Sequence, residues 1–320
     1  MHSPVIRHTA GFFLSLIAAM LWGMLPIALK ELLAGMDAIT IVWYRFLVAG
    51  VVLLAWLAYH RNLPGVIAQG RQIKYFLVIA AIGLCINYFL FSYSLNFVNG
   101  ETSEAVIQLT TLFLILGGVF VYKEPFIKVQ KIGTLLIVFG LLLFFNDRLL
   151  GLLTIENRET IGVIIVVFAA IAWTVYALLQ KQLLRSYSSV QILFLIYVFS
   201  ILVLLPFISP LSLFSLTPTQ FYLLLFCCLN TIVAYGCFAE ALNCWDASKV
   251  SAVLALAPLF TIASLKLVVF LQPDYAFSDR LGLLSLLGAF CLVVGSVLTA
   301  LVPVFQQRRA RKRAALIEPA

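Results

Sequence analysis

Ten apolar runs, each close to the length that crosses a bilayer as a helix, follow one another with only short polar breaks between them. They cover residues 10–32, 38–59, 75–98, 103–122, 127–146, 161–183, 190–209, 220–243, 248–271 and 281–305. A spanning helix needs about 20 mainly apolar residues. Backbone in lipid has no water to bond, so each run is expected to be helical; barrel strands would be shorter and would alternate. The breaks hold turn formers or charge: Gly35-Met36-Asp37, Arg61-Asn62-Leu63-Pro64-Gly65, Asn99-Gly100-Glu101 and Gln272-Pro273-Asp274. None could house a soluble domain. Only 11% of the 320 residues are charged, against about 25% in a soluble domain. So few charges cannot cover a globular surface of this size, and the solvent is lipid.

The first run, from Ala10 to Leu29, is longer than the 7–15-residue core of a signal peptide and is expected to be a retained first helix. The charges then orient the spans. One set of alternate loops, with the N-terminus, holds Arg7, Arg61, Arg71, Lys74, Lys123, Lys128, Lys131, Lys181, Arg185, Lys249 and the tail cluster Arg308 to Arg313. The other set holds Lys30, Arg148, Arg158 and Arg280 alone. Both termini are therefore expected in the cytoplasm, in a multi-pass inner-membrane protein. The net charge of +8 marks a membrane side and not a nucleic-acid partner, because no basic face is interleaved with aromatics. The tail is expected to lie on anionic lipid headgroups.

No cofactor or metal is expected. The six cysteines fall in or at the ends of apolar runs without metal-ligand spacing. His2, His8 and His60 lie in the tail or at a helix end, and the spans hold no catalytic Ser/His pair, so no enzyme is expected. A phosphate-cradling Gly-x-x-x-x-Gly-Lys-Ser/Thr loop is missing too.

The chain also repeats itself. Tyr88 to Ile115 returns as Tyr235 to Ile262, with Tyr88 on Tyr235, Asn96 on Asn243 and Ala105-Val106 on Ala252-Val253. At a slightly larger offset, Ala18-Ala19 falls on Ala169-Ala170, Trp22 on Trp173 and Lys30 on Lys181. The domain reading is thus a five-helix repeat at 1–147, a linker at 148–159, a second repeat at 160–305 and the basic tail at 306–320. Five is odd, so the halves are inverted, and inverted repeats place a substrate site near the midplane at their interface. The fold class is an all-α polytopic membrane protein of ten helices in two inverted halves.

The chain resembles drug/metabolite transporters of the EamA type over both halves. The residues that carry the likeness are Ala18-Ala19-Met20-Leu21-Trp22-Gly23, Tyr44-Arg45-Phe46, Lys123-Glu124-Pro125, Ala169 to Trp173, Ala234-Tyr235 with Ala241-Leu242, and Ala257-Pro258-Leu259-Phe260. The resemblance implies ten helices and alternating-access transport of small metabolites, commonly amino acids and related compounds, often outward. The chain departs from the family at Thr111, where a proline is common, at Leu271-Gln272, where Gly-Glu is common, and at Lys266.

The expected function is a secondary transporter, exporter or exchanger, of small polar metabolites, with amino acids the leading class. The alternatives are a carrier of phosphorylated or nucleotide-linked solutes and a non-transporting assembly factor. On the fourth span Glu104, Gln108 and Thr111 recur at helical spacing, and the matching stripe on the ninth runs from Ser251 through Pro258 to Lys266. Arg45 and Lys266 are charges inside spans, which face a cavity or a partner; Lys266 has the further options of snorkelling or pairing with Glu101 or Glu104. Trp22, Tyr88, Trp173, Tyr176 and Tyr235 are candidate cavity walls. Glu240 is the coupling candidate, and Pro26 and Pro258 are hinge candidates. The partners are a small-molecule substrate and lipid. The glycines at 117–118, 133, 140, 282, 288 and 295 read as close helix packing; they define no dimer face, and a homodimer stays open.

Overall fold

The computed structural model describes residues 8–299 apart from 66–69, 124–125, 155–156, 245–246 and 280. The basic tail, Arg280 and the Glu124-Pro125 pair lie outside the described residues. Helices run as α1 (His8–Leu32), α2 (Ala38–Tyr59), α3 (Arg71–Ser94), α4 (Gly100–Ile107), α5 (Leu109–Tyr122), α6 (Lys128–Phe144), α7 (Arg158–Leu183), α8 (Ser189–Leu204), α9 (Pro218–Cys244), α10 (Ala247–Leu254), α11 (Ala257–Leu271) and α12 (Leu283–Thr299). No strand occurs among the described residues. Among the described residues, eight stretches are long and apolar enough to cross a membrane, with α4–α5 and most of α10–α11 each counted as one. The difference from ten apolar runs lies in the fifth and the tenth. There α6 opens on Lys128 and Lys131 and holds only 17 residues, and α12 is a shorter apolar helix.

Local chemistry sets several of these boundaries. Asp37 caps α2 by accepting from the Thr40 amide at 2.9 Å and from its hydroxyl at 2.7 Å. Ser188 caps α8, and the Gln191 side chain reaches back to the Ser188 amide at 2.9 Å, a reciprocal capping box. Lys123 ends α5 in the left-handed region at φ 56°.

The fourth and ninth runs are interrupted. The first breaks at Gln108, where the chain tightens to a bond from the Thr111 amide to the Gln108 carbonyl. The second breaks at Ala255-Leu256, with the same tightening from Leu259 to Leu256. Pro258 explains the second break, since its ring removes the amide that would continue the ladder. The first has Thr111 at the matching position, so it breaks without a proline. Pro26, the other hinge candidate, lies within α1, which continues through it.

In the packed bundle α1 runs along α9, α3 along α7 and α2 along α8. One apolar cluster joins α2, α3, α7 and α8 around Phe46, Leu84, Ile192 and Tyr197. A second joins α1, α2 and α9, and a third joins α4, α6, α7, α11 and α12. The glycines fix the α6–α12 contact. A Cβ on Gly133 would lie 2.7 Å from the Gly295 carbonyl, and one on Gly140 would lie 2.8 Å from that of Gly288. These pairings make the two helices antiparallel, backbone against backbone. Large apolar side chains such as Phe120, Leu135 and Phe270 remain exposed on the outside, the surface that lipid covers.

Candidate functional site at the centre of the bundle

Arg45 enters from α2, about 12 Å below the Asp37 cap at 1.5 Å per residue. Its side chain is 3% exposed. The guanidinium stacks over the Tyr88 ring, 4.7 Å from its centroid, and Nε donates to Thr231 Oγ1 of α9 at 3.0 Å. Thr231 in turn donates to the Cys227 carbonyl one turn earlier, at 2.9 Å. Among the described residues no carboxylate pairs with Arg45. A buried cation without a counter-ion is expensive, so its retention calls for an account.

Aromatic side chains from five more helices close around it. Tyr88 (α3) meets Tyr235 (α9) with centroids 6.3 Å apart, and Phe46 (α2) stacks on Tyr197 (α8) at 5.1 Å. Trp22 (α1) stands edge-on to Tyr235 at 5.2 Å. Tyr176 (α7) is buried in the same cluster, and Trp173 packs against it. The Tyr88 and Tyr197 hydroxyls are both buried without a hydrogen-bond partner. Polar atoms pin the surrounding helices. Asn87 Nδ2 donates to the Ala169 carbonyl at 2.9 Å, and Asn230 Nδ2 donates to the Leu21 carbonyl.

At the end of the bundle opposite the basic loops, polar side chains tie several connections together. Asp279, in the α11–α12 connection, accepts from Asn99 Nδ2 at 3.0 Å, from the Thr102 amide at 3.1 Å and from the Thr102 hydroxyl at 2.6 Å. It therefore caps α4 from a distant part of the chain, since Asn99 makes no side-chain cap of its own. Arg148 donates to Glu159 Oε1 at 2.5 Å and stands 3.6 Å from Asp279. Glu101 Oε1 accepts from Ser278 Oγ at 2.8 Å. Lys30 donates to the carbonyls of Leu95 and Val98. Nearby, burial and the Glu31 carboxylate raise the Tyr275 hydroxyl above the usual phenol range.

The sequence profile of the EamA-like transporter family matches residues 9–146 and 160–301. The chain belongs to the EamA-like transporter family. This transporter is 39% identical to the Escherichia coli (strain K12) protein called "Uncharacterized inner membrane transporter YhbE", over 91% of each chain. It is 22% identical to a "Probable amino-acid metabolite efflux pump" of the same organism, over 88% of its own length and 92% of the relative's. A crystal structure at 17% identity shares the fold with a TM-score of 0.62, over 92% of this chain and 98% of the other.

The candidate residues divide into two groups. Trp22, Arg45, Tyr88, Tyr176 and Tyr235 come together, with Trp173 packed at the edge. Gln108 is buried elsewhere, against α12, where Ser296 Oγ donates to its Oε1 at 3.5 Å. Thr111 is half-buried at the start of α5, and Lys266 and Glu240 are exposed. Neither Glu101 nor Glu104 forms an ion pair with Lys266. Sequence reasoning missed Tyr197, Phe46 and Thr231. The signal was available for two of them: Phe46 and Tyr197 are separated by the same offset as Trp22 and Trp173.

Proposed function

We propose that this EamA-like transporter is a secondary transporter of the inner membrane that moves a small polar metabolite, with amino acids and their relatives the leading class, by alternating access. It works as ten spans in two inverted halves, 1–147 and 160–305, with both termini in the cytoplasm. The observation that carries this reading is the meeting of repeat-equivalent aromatics, Tyr88 with Tyr235 and Phe46 with Tyr197, beside a buried cation. Further support comes from equivalent packing on the two sides. Asp37 and Ser188, both N-caps, are separated by the offset that relates Trp22 to Trp173. Gly83 abuts the Ala172 carbonyl, and its repeat counterpart Asn230 bonds the Leu21 carbonyl, the counterpart of Ala172.

The interrupted α4–α5 and α10–α11 supply the bend points at which such a bundle rocks. On this reading the Asp279 network, which joins three connections at one end, is the gate of that end. Outward movement fits the name of the efflux-pump relative. A carrier of phosphorylated solutes would use more core cations, and Lys266, being exposed, adds none to Arg45. Purified protein in liposomes preloaded with unlabelled amino acids should accelerate uptake of the labelled compound by exchange. Empty-liposome rates for every amino acid and organic acid tried would defeat the transport reading.

A further inference from the structure

Resting on that reading, we propose that Arg45, with the Tyr88 and Tyr197 hydroxyls, forms a carboxylate-binding point, so that a carboxylate is the obligatory feature of the transported compound and an amino group is not. The guanidinium has five N–H donors and no acceptor. Its flat face is taken by the Tyr88 ring and its Nε by Thr231, which leaves the two terminal nitrogens, the paired edge that matches the two oxygens of a carboxylate. The Tyr88 and Tyr197 hydroxyls are two further buried donors that lie close to each other and to Arg45, and neither makes a hydrogen bond of good geometry in this structure. Such groups carry a desolvation cost until an acceptor arrives. One anion satisfies all of them.

The opposite requirement, an anionic acceptor for an ammonium group, has no counterpart here. No Asp or Glu is paired with Arg45 among the described residues, and the nearby side-chain acceptors are neutral: hydroxyls and the Asn230 Oδ1, which has no hydrogen-bond partner. The walls are Trp22, Phe46 and Tyr235, rings that suit an apolar or aromatic body. The compound class is therefore a small monocarboxylate with such a body, whether or not it carries an α-amino group.

The test uses the full-length protein in lipid nanodiscs and a matched set of probes: phenylalanine, 3-phenylpropanoate and 2-phenylethylamine, then valine, isovalerate and isobutylamine. Binding is read by melting shift and by calorimetry. The expected result is binding of the two carboxylates in at least one set, and none of the corresponding amine. Arg45→Gln should weaken carboxylate binding by about 30-fold or more. Tyr88→Phe and Tyr197→Phe should each weaken it roughly fivefold while leaving the melting temperature without probe nearly unchanged, because the hydroxyl removed makes no well-formed hydrogen bond; these two variants keep the test sound if the Arg45 variant does not fold. Amine binding equal to that of the acids would overturn the proposal, as would carboxylate affinity that survives all three substitutions or no binding by any carboxylate. Liposome exchange that persists in Arg45→Gln would sink this proposal and leave the transport reading standing. Absence of exchange in the parent protein would sink the transport reading instead.

Discussion

Tyr88 and Tyr235 match each other in the internal sequence repeat, and their rings meet with centroids 6.3 Å apart and planes inclined by 24°. Residues exchanged by a two-fold relationship touch only beside its axis, so the pair locates that axis in the repeat reading. Phe46 and Tyr197 meet in the same manner at 5.1 Å and 23°. Arg45 breaks the equivalence, because its counterpart at that offset is Ile196. The centre is thus symmetric in its walls and asymmetric in its charge.

The ring of Tyr235 packs against both Trp22 and Tyr88, and truncating it leaves a hole on the axis. Tyr235→Ala is expected to destabilise the protein by about 3 kcal/mol, as for other packed aromatics, whereas Tyr235→Phe keeps the ring and most of the stability. Reversible unfolding in mixed micelles would measure both. Equal losses would mean that the hydroxyl, and not the ring, holds the site.

The sequence disclosed the aromatic pairs because Tyr and Trp in one register are rare coincidences among leucine-rich spans. Phe46 and Tyr197 escaped notice since Phe opposite Tyr is not an identity. The polar stripes run across breaks in their helices. Positions i, i+4 and i+7 share a face only on a continuous helix, and both stripes cross interruptions, at Gln108 and at Ala255-Leu256. Beyond the second, Lys266 emerges exposed. Asp279 lay in a connection with no periodicity, and nothing local marks it as the cap of a helix 177 positions away.

On the alternating-access reading that cap is also the latch of its end of the bundle. Asp279→Ala removes the acceptor of Asn99 and Thr102 and the neighbour of Arg148, at a cost of about 1 kcal/mol for a lost cap. Cys227 and Cys228, buried one turn from Thr231, are built-in reporters. The variant should label faster at these thiols with a membrane-impermeant maleimide added at the side opposite the basic loops. Unchanged labelling in both variant and parent would count against a latch at this position.

The α6–α12 contact leaves no space for a methyl group. A Cβ on Gly288 would come within 2.4 Å of the Phe144 amide nitrogen and 2.6 Å of the Gly140 carbonyl, so Gly288→Ala must push the helices apart and is expected to cost about 1–3 kcal/mol. Gly236→Ala is the control. Nothing lies within 4 Å of its Cβ, and alanine's helix propensity favours it by up to about 1 kcal/mol. Melting in detergent should move in opposite directions for the two, and a common direction would contradict the close backbone approach.

Glu104 is the remaining charge-bearing side chain that the bundle encloses without explanation. It sits on α4 one turn before the Gln108 break and is 6% exposed. Among the described residues it makes no hydrogen bond or ion pair: Lys30 is held by carbonyls of the α3–α4 connection, Arg148 is held by Glu159 and Asp279, and Lys266 is exposed. A carboxylate with no partner contributes nothing to hold the fold and carries the cost of its burial. Glu104→Gln, which keeps the shape and removes the charge, is therefore expected to melt at or above the parent temperature, and Glu104→Leu should do the same. A drop of several degrees in both would reveal a partner that stabilises the acid. Preserved stability with loss of exchange in liposomes would instead place the role of Glu104 in the transport cycle.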